Sequence, residues 1–175
     1  MARTYVEIPE VSGVVRGGSH GPMAARFDVS VLGASDEVMR SAEGGALVAT
    51  WSGSFAETEG GGLFEDDPRT WGPKGWGALE ERVKRLRDAG VRVCVRPHAR
   101  HVVSDPTGCR RLLEASWAEG VLLMYDPEAM LAESMRGEGV RADHLRRMEE
   151  ELERMPVERV VGVVGSGKWE GGFKI

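Results

Sequence analysis

The stretch Val91–Leu131, VRVCVRPHARHVVSDPTGCRRLLEASWAEGVLLMYDPEAML, decides how the chain is read. Val91, Val93 and Val95 alternate in a β-branched run that stops at Arg96-Pro97-His98, the pattern of a buried strand. Asp105-Pro106 then offers a helix N-cap and a first-turn proline ahead of Leu112 and Leu113. A second apolar run, Val121-Leu122-Leu123-Met124-Tyr125, ends at Asp126-Pro127, which repeats the same helix-start signal. Strand, polar loop, helix, strand, polar loop, helix is the order of βαβ units around a buried parallel sheet. Such sheets gather their chemistry at the carboxyl ends of strands, so His98 and Asp126 are expected on one rim.

Upstream, Leu79, Val83, Leu86 and Ala89 recur at spacings of four and three, which predicts a helix over 77–89 that Gly90 stops. Ala46 to Trp51 reads as a buried strand, Phe27 to Leu32 as another, and Ser35 as the cap of a short helix running to about Ala42. Residues 1–25 are expected to be irregular, with a short edge strand at Tyr5-Val6-Glu7-Ile8 and a Gly-rich flexible loop around Val14-Val15-Arg16. Ser54–Trp76 is expected to be a long loop. Its Phe55, Leu63, Phe64, Trp71 and Trp76 argue for packing over the strand ends rather than for disorder. Downstream, a short helix is expected from Asp126 to about Met135, a clear one over Ala142–Met155, and a final strand over Arg159–Val164.

The sum is an α/β domain over 1–175 with about five or six parallel strands and five helices. A complete eight-fold barrel takes about 250 residues, so the expectation is a partial or degenerate TIM barrel, or a small open sheet. A partial barrel leaves sheet edges that a homodimer could cover. Net charge is −5, which does not favour nucleic acid or an anionic membrane as partner. No window reaches the roughly 18 apolar residues of a membrane span, and the N-terminal MARTYVEIPE has no apolar signal core; a cytoplasmic protein is expected. Cys94 in a strand and Cys109 in a helix are read as buried free thiols. Gly162–Lys168 fits G-x-x-x-x-G-K, but Trp169 stands where a phosphate loop needs Ser or Thr.

The central stretch resembles the xylose isomerase-like TIM-barrel superfamily of sugar phosphate isomerases and epimerases. There, one strand tends to end in Glu-x-His, the next loop has an "hlvsD" character and the next strand ends in Asp-x-x-His. Here these read Arg96-Pro97-His98, His101-Val102-Val103-Ser104-Asp105 and Asp126-Pro127-Glu128-Ala129, and Trp51-Ser52-Gly53 fits the end of an earlier strand. The resemblance implies proton transfer by His98 with Asp126 or Glu128, and ligand contacts from Arg96, Arg100, His101 and Trp51. In metal-dependent relatives a glutamate, an aspartate and a histidine hold a divalent cation. Their positions correspond here to Arg96, Asp126 and Ala129, so the expectation is no tightly held metal and no other cofactor.

Arginine in place of a ligating glutamate puts a fixed positive charge where the cation would be. Two readings stay open. Arg96, His98, Arg100 and His101 form an anion site for a phosphate, carboxylate or sugar-like ligand, or Arg96 pairs with Asp126 across neighbouring strands and keeps the old pocket neutral. Two functions follow: an isomerase/epimerase-like protein with weakened or lost metal-dependent catalysis, or a non-catalytic domain that binds a small anionic ligand or a protein partner.

Overall fold

The computed structural model describes residues 7–8, 14–16, 22–40 and 47–164. The strands are β1 (Glu7–Ile8), β2 (Val14–Arg16), β3 (Pro22–Ser30), β4 (Leu47–Trp51), β5 (Arg92–Arg96), β6 (Leu122–Tyr125) and β7 (Val160–Val164). The α-helices are α1 (Asp36–Arg40), α2 (Phe55–Thr58), α3 (Pro73–Asp88), α4 (Pro106–Glu114) and α5 (Arg141–Leu152). One sheet holds all seven described strands in the order β1-β7-β6-β5-β4-β3-β2. Every pairing in it is parallel except that of β2 with β3.

From β3 to β7 the spatial order follows the chain order. Right-handed crossovers between such strands place every connecting helix on the same face, the winding of a barrel rather than of a doubly wound sheet. The packing agrees. Helix residues Met39, Leu79, Val83, Leu86, Leu112, Leu113, Leu145, Met148 and Leu152 share one core with Val48, Val93, Val95, Leu123 and Tyr125. The opposite face forms a separate cluster of strand residues, including Met23, Ala49, Cys94 and Met124. All four are at most 1% exposed, so that face is turned inward.

Chain length enforces the curvature. Five residues separate β1 at one edge from β2 at the other. Six steps of chain span at most about 20–22 Å, whereas a flat seven-stranded sheet is about 29 Å across. The two edges are therefore drawn toward each other.

Local signals set the boundaries. Asp105 caps α4, its Oδ1 accepting the Gly108 N–H at 2.7 Å ahead of Pro106. Ser35 Oγ accepts the Val38 N–H at 3.2 Å and opens α1; residues 41–46, where that helix was expected to end, lie outside the described residues. Gly90 leaves α3 with φ +78, a conformation that a side chain would strain. In β3 the register shifts between Ala25 and Ser30. The Thr50 hydroxyl has its one proton shared between two carbonyls of that irregular stretch, Arg26 O at 2.8 Å and Val29 O at 2.7 Å.

Three expectations are corrected. Val14–Arg16 is strand β2 rather than loop, because pairing with Pro22–Ala24 satisfies its backbone despite the neighbouring glycines. The segment 54–76 is not one long loop: it contains α2, a 3-10 turn over Pro68–Trp71 and the start of α3 at Pro73. The Ser54 N–H donates to Glu57 Oε2 at 3.1 Å and Asp67 Oδ1 accepts from Arg69 N at 2.9 Å, so both short elements are capped by side chains. Asp126-Pro127 does not open a helix either. Asp126 Oδ1 caps a single turn at Ala129 N (3.0 Å), and the chain continues through turns to a 3-10 turn at Glu133–Met135.

Among the described residues no helix is long and apolar enough to cross a membrane. Cys94 and Cys109 are both buried and free, and burial raises both thiols above their ordinary range.

Candidate functional site

The register Cys94↔Leu122 and Val95↔Leu123 places the carboxyl ends of β5 and β6 side by side. Arg96 leaves the end of β5 and Asp126 follows β6, so both reach the same rim. They meet there: Arg96 Nε donates to Asp126 Oδ2 at 2.7 Å, and Nη2 lies 2.6 Å from the same oxygen. Arg96 is 7% exposed and Asp126 2%. The guanidinium also lies over two rings, 4.4 Å from the centroid of Trp51 and 4.9 Å from that of Phe27. Trp51 is the lateral neighbour of Arg96 in the sheet, so the register itself creates the first of these contacts. Of the two readings of Arg96, the buried ion pair is the one the structure contains.

Trp51 is the centre of the rim. Its Nε1 donates to the Phe27 carbonyl at 3.1 Å, and its ring meets His98, His101 and Phe64 edge-on at 5.3–5.7 Å. The turn carrying the two histidines is stitched to both neighbouring strand ends. Ala99 N donates to Ala129 O, Val102 N to Gly53 O, and Val103 N to the Ser52 hydroxyl at 3.1 Å.

His98 Nδ1 accepts from Arg100 N at 3.2 Å, which puts the proton of the neutral ring on Nε2. Burial first, then the nearby charges of His101, Arg100, Arg136 and Arg96, push its pKa down to about 3. His101 is fully buried. Its Nε2 donates to the Leu63 carbonyl at 2.7 Å, and burial lowers its pKa to about 4. Both rings are neutral at pH 7, so the expected cationic cluster is corrected: the arginines carry its charge. His101 Nδ1 is buried without a hydrogen-bond partner.

Above the histidines lies the segment Glu59–Asp66, suspended between α2 and the Pro68–Trp71 turn. The posts are firm. Glu57 ties α2 to Ser30 (2.7 Å), Arg69 pairs with Asp67 and Glu59, and Trp71 Nε1 donates to Ala99 O at 3.1 Å. Between them, Phe64 stacks on His101 at 5.4 Å with the rings 8° apart and leans on His98 at 4.6 Å. Arg100 Nη1 donates to the Phe64 carbonyl at 2.7 Å. The expectation that this segment packs over the strand ends is met.

Trp51, Arg96, His98, Arg100, His101 and Asp126 thus converge on one rim. Glu128 does not join them: it pairs with Arg141 at the start of α5. Phe64, Trp71 and Arg136 take part in or border the site without having been singled out as site residues. The aromatics stood out as scarce large rings in a Gly-rich segment, and Ser54-x-x-Glu57 spelled a capping box that anchors one post; Arg136 carried no local signal. Among the described residues no group of three or more His, Cys, Asp or Glu side chains could hold a metal ion. The donor set does not fit a divalent cation, since Asp126 already faces a guanidinium and Ala129 offers no ligand atom. The chain matches no known protein family, no curated protein and no solved structure.

Proposed function

We propose that this domain is a sugar phosphate isomerase/epimerase-like protein that keeps a ligand-binding rim and has lost metal-dependent catalysis, so that it acts as a binding domain for a small anionic, sugar-like ligand. One observation carries the reading: the aspartate that would serve a metal or move a proton is bound by a buried arginine. A carboxylate oxygen that two guanidinium nitrogens already engage is not free to take a metal or a substrate proton. His98, with a pKa near 3, is a poor base at neutral pH but a competent hydrogen-bond donor through Nε2. Arg100 and Arg136 stand beside it with side chains about half exposed, and Trp71 and Phe64 offer exposed ring surface nearby. Cations, a neutral donor and ring faces suit a phosphorylated or carboxylated sugar better than a free metal ion.

The test is a titration with inorganic phosphate and with glucose 6-phosphate, followed by melting temperature and by the His98 ring resonances. Stabilisation that disappears in Arg100→Ala is expected, and no response at millimolar ligand would overturn the binding reading. In parallel, Mn²⁺, Co²⁺ or Mg²⁺ is expected not to raise the melting temperature. Stabilisation by these ions that vanishes in Asp126→Ala would restore a metal-dependent isomerase.

A further inference from the structure

The strap Glu59–Asp66 closes over the residues with which a ligand at this rim would have to engage. Trp51 is 6% exposed and His101 fully buried, and the ring lying on both is Phe64, itself 39% exposed. Phe64 fills a slot with three walls, His101 parallel to it, Trp51 edge-on and His98 tilted. At the same site His101 Nδ1 is buried with no partner, an acceptor unsatisfied in the closed form.

The strap is built to move. Its posts are held by the capping carboxylates and by Trp71, whereas the strap carries three consecutive glycines, Gly60, Gly61 and Gly62, all exposed. Its polar ties to the rim are two donations to backbone carbonyls, from His101 to Leu63 and from Arg100 to Phe64, and an exposed ion pair of Arg100 with Asp66 at 3.5 Å, while the Ser54 hydroxyl donates to the Glu65 carbonyl at 3.4 Å. Gly60 has φ +86, and a Cβ on Gly61 would lie 2.8 Å from the Ala56 carbonyl oxygen and 2.7 Å from Glu65 Oε2. Ala56 lies in α2 and Glu65 in the strap itself, so a side chain at 61 strains the path by which the strap leaves α2 to lay Phe64 in the slot, without touching the slot.

We propose that Glu59–Asp66 is an autoinhibitory lid whose Phe64 side chain occupies a ring-binding slot, and that a ligand displaces it, placing its own ring between Trp51, His98 and His101 and a hydroxyl on His101 Nδ1. The ligand class is a ring-bearing small molecule with a hydroxyl, and the anionic group next to Arg100 rests on the function proposed above. The slot itself does not depend on that function.

Phenol and 4-hydroxyphenyl phosphate serve as probes, with inorganic phosphate as the anion alone. In the wild-type chain, the Gly61 and Glu65 amides are expected to exchange hydrogen through local opening, far faster than the amides of β5. 4-Hydroxyphenyl phosphate is expected to speed that exchange by holding the strap open, and, lying on the ring itself, to shield His101 from diethylpyrocarbonate. In Gly61→Ala both probes should bind about tenfold more tightly, the factor that corresponds to about 1.4 kcal/mol of lost closed-state preference. Phenol binding without any response to inorganic phosphate would uphold the slot and remove the anion reading. If Gly61 and Glu65 exchange only with global unfolding, the strap is a fixed part of the fold and the proposal fails. Equal probe affinities in wild type and Gly61→Ala overturn it as well.

Discussion

Replacing Asp126 by alanine leaves the Arg96 guanidinium charged and buried, since arginine does not give up its proton. Removing one partner of a buried ion pair typically costs 3–5 kcal/mol, because the other charge stays desolvated without compensation. Here the exposures of 7% and 2% place the pair well inside that class. The Ala129 N–H also loses its acceptor at 3.0 Å, a further ~1 kcal/mol. The Trp51 and Phe27 rings face the cation at 4.4 and 4.9 Å with or without Asp126, so they do not enter the difference. The expectation for Asp126→Ala is a loss of about 4–6 kcal/mol, a drop of roughly 10–20 °C in Tm for a domain of this size. Urea unfolding followed by circular dichroism measures it, with an unchanged m-value showing that the two-state fold is retained. The double variant Arg96→Met/Asp126→Leu removes both charges and keeps similar volume, and should lie within about 1–2 kcal/mol of the wild type. If Asp126→Ala costs less than about 1 kcal/mol, or the double variant is no more stable than the single one, the two groups are not a desolvated pair and the account of the rim is wrong.

Acid should destabilise the fold through the histidines. Both have folded-state pKa values below the ordinary 6.5, near 3 and near 4, so the unfolded chain takes up protons that the native chain refuses. The stability they confer is complete above about pH 6.5 and is lost as pH falls toward 4, by about 2 kcal/mol at pH 5 from fully buried His101; urea midpoints at pH 7 and 5 in wild type and His101→Phe measure it, and equal pH slopes would refute the assignment. Gly53→Ala should cost about 2 kcal/mol or more, because Gly53 has φ +93 and a Cβ there would lie 2.3 Å from Ser30 Oγ, which is held by Glu57; a Tm within a degree or two of wild type would contradict this. Tyr125→Phe removes the bond from the buried hydroxyl to the Met148 carbonyl (2.7 Å) and should lower stability by ~1 kcal/mol, read by thermal denaturation.

Much of the scaffold was legible in the sequence, and for local reasons. The β-branched alternation of Val91, Val93 and Val95, the unbroken run Val121–Tyr125 and the paired Asp105-Pro106 signal each act within one turn or one strand. The elements they announce are β5, β6 and α4. Helix α3 followed from the period of its apolar residues and from Gly90. Apart from α2, whose capping box is local, the elements that went unread are those whose stability comes from elsewhere in the chain. Strand β2 exists through its pairing with β3, and Asp126-Pro127 fails to start a helix although its signal matches that of Asp105-Pro106. The Asp126 cap bond to the Ala129 N–H does form, but the next residues, Met130 and Leu131, are drawn into the core, and no local rule registers that packing.

The sequence by itself determined the α/β alternation, the strand ends on which Arg96, His98 and Asp126 stand, and the choice between two roles for Arg96. Only the tertiary structure decided that Arg96 and Asp126 neutralise each other, that Glu128 turns to Arg141, that both histidines are uncharged, and that Phe64 lies on them. The physical reason is the range of the interactions: propensity, capping and hydrophobic period act over a few neighbouring residues, whereas desolvation and ion pairing depend on which side chains the folded sheet brings within a few ångströms.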